Sequence, residues 1–418
     1  MLNPDDYSLI DEDVQKCPFD FYKAMRSECP VYEMPETGFF IVSKYDDCMT
    51  ALRDPAVFSS KMGFRVMENS EEVDRILEEG GYGDQVDTLV TNDPPSHTRY
   101  RQYVNRAFTA QRVSGMQPYI QKIISDTFAD IGDKNNMEVV TEFAIPIPMK
   151  IIADQLGVSR DDMVKFKEWS DAAVEPLGGL ITPERHIEVA KLMVEFQHYF
   201  ADRIKERQDA EEGVYDDMLN DLVQAGVEGE EPLDYRELLS ILLQLLVAGN
   251  ETTTNTIVSG VLLLCRNPDL LNEIYEDDSK AEKFAEEVLR LESPVQGLFR
   301  MTTQDVELGG VKIPEGSIVN LRYGSANRDE KIFPDSENLD LGRKSIRRHL
   351  AFGSGIHSCI GSQLARKELE YTFSFLAKQL SHIEIDPQDQ SVEYHPSLIL
   401  RGIKKLDVSF VRREAGLY

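Results

Sequence analysis

The chain has 418 residues, 41% hydrophobic and 9% aromatic, enough apolar material for a large buried core and too much for a disordered chain. Lys and Arg number 45 against 74 Asp and Glu, a formal charge of −29 with a pI of about 4.6. Such a surface repels phosphate backbones and anionic lipid, so nucleic acid and membrane surfaces are poor partners, and the acid excess reads as a solvated exterior.

The opening MLNPDDYSLIDEDVQKC lacks a basic stretch followed by an apolar one, so no secretion signal is expected. Cys17, Cys29, Cys48, Cys265 and Cys359 are odd in number and lack CxxC spacing, which argues against a disulfide framework or a structural zinc site. Reduced thiols and a cytoplasmic location are expected. Residues 30–45 read as strands, VYEMPE and FFIVS around a turn at Thr37-Gly38, with a helical pattern from Tyr45. Residues 62–92 are acidic and glycine-rich, with GGYG at 80–83, and predict a long irregular loop of functional use. Helical periodicity then runs from about 93 to 292. Within it, Asp234–Cys265 is apolar on nearly all sides and predicts a helix through the core. Its two most apolar runs, Ile241–Gly249 and Ile257–Cys265, are each about half a membrane span. Between them stands Ala248-Gly249-Asn250-Glu251-Thr252-Thr253-Thr254, a poor sequence for continuing a buried helix, and two helices with a loop between is the local alternative. Ser279-Lys280-Ala281-Glu282 reads as a capping box opening a helix that carries Glu287 and Arg290. By itself that spacing is an ordinary surface ion pair. Residues 295–325 and 382–412 read as strands, and 359–380 as a helix. Without repeats or long linkers, 1–418 is expected to be one domain, mainly α with a smaller β-rich part.

Chemistry concentrates in HLAFGSGIHSCIG, residues 349–361. Gly353 and Gly355 permit a tight turn with amides pointing inward, and Cys359 opens the helical pattern that follows. A cysteine there feels the positive end of the helix dipole, which favours its thiolate, and Gly361 lets a flat group lie against the first turn. Taken alone, such a cysteine is also simply a small buried hydrophobe. In DPPSHTRYR, residues 93–101, proline stands in the first turn and His97 and Arg101 share one face, which without context is an exposed basic pair.

FGxGxHxCxG, matched here at every defined position, resembles the haem-binding loop of the cytochrome P450 family. The resemblance extends from about residue 15 to 412. It implies that family's fold, with a long central helix, and haem b held by Cys359 as the axial iron ligand, with Phe352 shielding the sulfur and His357 reaching a propionate. Glu287 and Arg290 resemble the family's ExxR pair, completed by Arg343 into a buried structural triad. AGNET at 248–252 resembles its oxygen-binding groove, which favours a single central helix locally widened at Gly249. Ala248 and Gly249 would then lie over the cofactor, while Glu251 and Thr252 order a proton relay. His97, Arg101 and Arg300 match its propionate partners, guanidinium being a planar fork suited to carboxylates; Asn105-Arg106-Ala107-Phe108 follows as the pattern requires.

The activity implied is an O2- and reductant-driven monooxygenase inserting oxygen into a C–H bond of a hydrophobic molecule, by hydroxylation or oxidative demethylation. Electrons would come from NAD(P)H through a ferredoxin or flavodoxin docking on the basic cluster Arg343, Lys344, Arg347, Arg348 and Arg366. A peroxide-driven peroxygenase on the same fold, or a haem-thiolate binding module without catalysis, are the alternatives; the intact Glu251-Thr252 pair argues against both. The resemblance further implies a pocket lined by Met62, Phe64, Leu89, Leu180, Val247, Val295, Leu298, Phe299, Leu398 and Ile399.

Overall fold

The run Phe40-Ile41-Val42 is buried on both faces because a strand sends alternate side chains to opposite sides. Phe40 and Val42 join a core with Val31, Val319 and Leu321, while Ile41 packs with Leu9, Phe21 and Tyr22. In the computed structural model, which describes residues 3–61, 69–178, 181–388 and 391–414, this strand is second in a five-stranded sheet. The order is Val31–Glu33, Phe40–Val42, Ile318–Leu321, Leu298–Thr302 and Phe58–Ser59. Only the second and third strands run parallel, with Phe40 opposite Val319. A three-stranded antiparallel sheet of Asn136–Glu138, Asp407–Arg412 and Leu380–Ile385 and two short two-stranded pairs complete the β part. The rest is helical, so the expected mainly α architecture holds.

The central segment is one α-helix, Tyr235–Arg266. Asp234 caps it reciprocally with Glu237, satisfying two of the first-turn amides. Leu238–Leu246 packs with Trp169, Phe196 and Phe200, and Ile257–Leu264 with Ile120, Phe143, Phe284 and Phe373. The polar stretch 250–256 thus lies where the helix passes from one apolar core to the other. It stays helical because both flanks are anchored. Thr252 and Thr256 bond back to the carbonyls of Ala248 and Thr252, at 3.1 and 2.8 Å. The helix runs unbroken as α through Gly249, so the local widening is not seen in its hydrogen bonding. A Cβ at Gly249 would stand 3.1 Å from the Ile152 side chain, so glycine there permits close helix packing.

Three local expectations need correction. The irregular segment 62–92 contains a helix, Glu71–Gly80, capped by Ser70, with three acids in its first turn and Val73 and Leu77 turned toward Ala190 of the helix Pro183–Asp209. Glycines at 80–83 masked this short apolar stripe. The capping box at 279–282 does not form: Ser279 lies inside the helix Ser279–Glu292, and its amide and hydroxyl both donate to Asp277, at 3.1 and 2.7 Å. Cys359 precedes its helix, which starts at Ser362.

Glu287 and Arg290 are both fully buried and paired at 2.7 Å, and Arg343 Nε donates to Glu287 Oε1 at 3.0 Å. Arg290 also donates to the carbonyls of Asn327, Ser336 and Asn338, so the triad pins the strand-free stretch 327–343 that precedes the cysteine loop. Among the described residues, no helix is long and apolar enough to cross a membrane.

Candidate functional site

The cysteine loop is shaped by its glycines. Gly353 and Gly355 have φ of +62° and +70°, and a Cβ at Gly355 would collide with the Leu52 carbonyl. The turn returns the Cys359 amide to the Phe352 carbonyl at 2.9 Å and aims the sulfur into a cavity. Cys359 is exposed to the cavity yet enclosed by the fold around it, and that enclosure raises its thiol pKa, opposed by the amides of Gly361 and Ser362 and by the charges of Arg101 and Arg366. The helix-terminus effect therefore acts, through backbone N–H groups just beyond the cysteine. A Cβ at Gly361 would meet only Phe108, at 3.9 Å, leaving the first turn flat toward the cavity.

Ala248, Gly249 and Thr252 of the central helix line this cavity, with Phe352, Gly353, His357, Cys359 and Gly361 of the loop. His97, Arg101 and Arg300 line it as well. The rings of His97 and His357 stand 4.4 Å apart, and the Ser60 hydroxyl lies 3.0 Å from His357 Nε2. Asp93 orders that corner, accepting from the Ser59 hydroxyl at 2.5 Å and the Ser60 amide at 3.0 Å.

Among the described residues neither Arg101 nor Arg300 has an acidic partner. Arg101 donates to the Asn105 amide oxygen at 3.2 Å and Arg300 to the Phe299 carbonyl at 2.7 Å. Burial, then Arg300, His97 and Arg101, push His357 down to about 3. Arg300 is buried and Arg101 half-buried, and a buried cation without counter-charge is costly. A planar group with two carboxylates supplies that charge, and a metal at its centre takes a sulfur ligand. The donor set fits haem.

Glu251 does not line the cavity. Its carboxylate accepts from Asn255 Nδ2 at 3.3 Å, and burial raises its pKa, offset in part by Asn255 and Lys167. Of the predicted pocket residues, Leu89, Val295 and Leu298 line the cavity. Phe299 does not, because strand alternation sends Leu298 and Arg300 inward and Phe299 outward, 5.7 Å from Phe39, where it meets Leu398 in a separate small hollow. Val247 is off the cavity-facing stripe of Gln244, Leu245, Ala248, Gly249 and Thr252, and Ile399 is buried with its carbonyl on the Gln296 amide. Met62, Phe64 and Leu180 lie outside the described residues.

The sequence reading passed over Thr256, one turn beyond Thr252, and Gln244, two turns before it; helical spacing could have found both. Glu368 had no such signal. It lines the cavity at 3% exposure, its Oε2 has no hydrogen-bond partner, and burial raises its pKa to about 8.

Two of the five basic residues expected to form a docking patch are turned inward. Arg343 belongs to the buried triad, and Arg366 is bonded to Glu286 at 2.6 Å. Lys344, Arg347 and Arg348 are exposed. Arg347 pairs with Glu282 and Arg348 lies over the Tyr45 ring.

Comparison with known proteins agrees with this geometry. Residues 34–410 match the family model described as Cytochrome P450. The chain is 34% identical to cytochrome P450 107B1 of Saccharopolyspora erythraea, over 93% of each chain. It is 33% identical to 6-deoxyerythronolide B hydroxylase of the same organism, over 93% of this chain and 94% of that one. Among solved structures, cytochrome P450 CYP109Q5 of Chondromyces apiculatus superposes with a TM-score of 0.83 at 33% identity, covering 97% of this chain and 98% of that one. With the cysteine loop, the unpaired basic cluster and a match across most of its length, the chain belongs to the cytochrome P450 family of haem monooxygenases.

Proposed function

We propose that this enzyme hydroxylates, or oxidatively demethylates, a small-to-medium hydrophobic substrate, using O2 and electrons delivered from NAD(P)H by a ferredoxin or flavodoxin in the cytoplasm. The observation that carries this reading is one apolar cavity bounded by Cys359 and by Thr252, with Leu89, Val295, Leu298 and Leu245 on its walls. Bound haem supplies the oxygen activation and the electron storage. Cys359 would hold its iron, and His97, Arg101, Arg300 and His357 its carboxylates.

The apolar walls would expel water and hold a C–H bond near the metal. Thr252, bonded to the Ala248 carbonyl, keeps a hydroxyl lone pair open to the cavity and would order a water there. Glu251, whose pKa burial raises against the opposing effects of Asn255 and the Lys167 charge, would hold a proton behind it and exchange it by side-chain rotation. A 33% identical relative is named a hydroxylase, which favours hydroxylation.

The test is the reduced protein under carbon monoxide. A thiolate-type red-shifted Soret band, lost in Cys359→Ala, is expected; an unaltered spectrum in the variant defeats the reading. Turnover that requires NAD(P)H with a ferredoxin system supports the electron route, whereas equal turnover on peroxide alone makes the chain a peroxygenase.

A further inference from the structure

The most elaborate buried charge cluster beside the site is not explained by folding of the ExxR triad. Glu286, next in sequence to Glu287 and so turned about 100° from it around the helix, is 2% exposed. It accepts from His349 Nε2 at 2.7 Å and Arg366 Nε at 2.6 Å, with Arg347 at 3.7 Å. The Ala351 amide donates to His349 Nδ1 at 3.3 Å, so the ring proton sits on Nε2 and is given to Glu286. Although burial alone would raise it, these two bonds hold Glu286 down at about 2. It is a fixed anion.

What that anion clamps is informative. The Arg366 guanidinium lies 4.4 Å from the ring centroid of Phe352, and the His349 ring 5.8 Å from it. Phe352 is the residue whose carbonyl receives the Cys359 amide. Arg366 is 18% exposed on its side chain, and its charge reaches Cys359. A surface-docking arginine would extend into solvent; this one is folded back, desolvated and stacked.

We propose that Arg366 is a positioning residue for the thiolate: clamped by Glu286 and His349, it holds a fixed positive charge against Phe352 behind Cys359 and sets how readily the haem iron accepts its first electron. The inference rests on Cys359 as the iron ligand. A nearby cation stabilises the less positive, reduced state of the centre, and a largely buried one is screened by salt much less than an exposed one. Arginine suits the position because a planar cation can both stack on the ring and donate along Nε to the carboxylate.

Spectroelectrochemical titration of the substrate-free holoprotein, at low and high salt, tests this. Arg366→Gln should lower the midpoint potential at both salt concentrations, and Arg366→Lys should recover part of the shift, since it restores charge but not stacking. Lys367→Gln removes the neighbouring charge, which pairs with Glu370 on the outer face, and should leave the potential unmoved. If both Arg366 variants keep the wild-type potential, or if Lys367→Gln shifts it equally, the assignment is overturned. Should Arg366→Gln fail to retain haem, Arg366→Met, which fills the same space without charge, decides instead: a lowered potential supports the role and an unchanged one ends it. A wild-type protein without the thiolate-type carbon monoxide band would instead remove Cys359 as ligand, a failure visible before any variant is made.

Discussion

Thr252 and Glu368 are polar residues on one cavity with different consequences. Thr252 is positioned by its bond to the Ala248 carbonyl, and its removal leaves the cavity's shape nearly intact. Thr252→Ala should therefore bind substrate normally and still consume NAD(P)H, while product formation falls on the order of 10²-fold, the lower range for a positioned proton donor. Peroxide released per NAD(P)H measures this, and unchanged coupling would remove Thr252 from proton delivery. Glu368 is buried with an unpartnered oxygen and a pKa raised from 4.5 to about 8 by that burial alone. The folded chain then holds a proton that the unfolded chain releases above pH 4.5. Stability from this group is full below the unfolded pKa and falls as pH rises to about 8, by about 1.4 kcal/mol per unit. Glu368→Gln, isosteric and uncharged, should melt at increasingly higher temperature than wild type between pH 5 and 8. A constant difference across that range would mean that the carboxyl is solvated.

At the scale of elements, the buried triad joins the helix Ser279–Glu292 to the stretch before the cysteine loop. Glu287→Gln leaves Arg290 and Arg343 without their counter-charge and should cost about 3–5 kcal/mol, as broken buried pairs do. Urea denaturation of the holoprotein reads this, and a loss under about 1 kcal/mol would make the triad dispensable. The exposed part of the basic patch behaves differently. Lys344, Arg347 and Arg348 are exposed, Arg347 in an ion pair with Glu282, and are proposed to meet an acidic electron donor, so the double variant Arg347→Glu, Arg348→Glu should slow reduction by the partner while leaving substrate-induced spin shifts unchanged. Equal reduction rates would move the docking site elsewhere. The helix Glu71–Gly80 shows why an element can be overlooked: Val73 and Leu77 form a stripe too short to register among acids and glycines, and they gain meaning only against Ala190.

For the whole molecule, a charge of −29 opposes the approach of any acidic donor, whereas the proposed docking patch would attract it at contact. Long-range repulsion is screened first as salt is added, because the Debye length falls from about 30 Å at 0.01 M to about 10 Å at 0.1 M. The rate of reduction by an acidic ferredoxin should therefore pass through a maximum with rising salt in stopped-flow measurements. A rate that only rises would show that the patch contributes nothing.

The family, the mainly α architecture, the glycine-shaped loop that carries Cys359 and the Glu287–Arg290 pair were legible in the chain, because each depends on local spacing or on a motif with contiguous residues. Only the tertiary structure turned Arg366 inward, sent Glu251 off the cavity wall, put Phe299 on the far face of its strand and brought Glu368 to the cavity. Those outcomes depend on which neighbour a side chain meets across the fold: burial and counter-charge come from residues distant in sequence, and no local pattern encodes them.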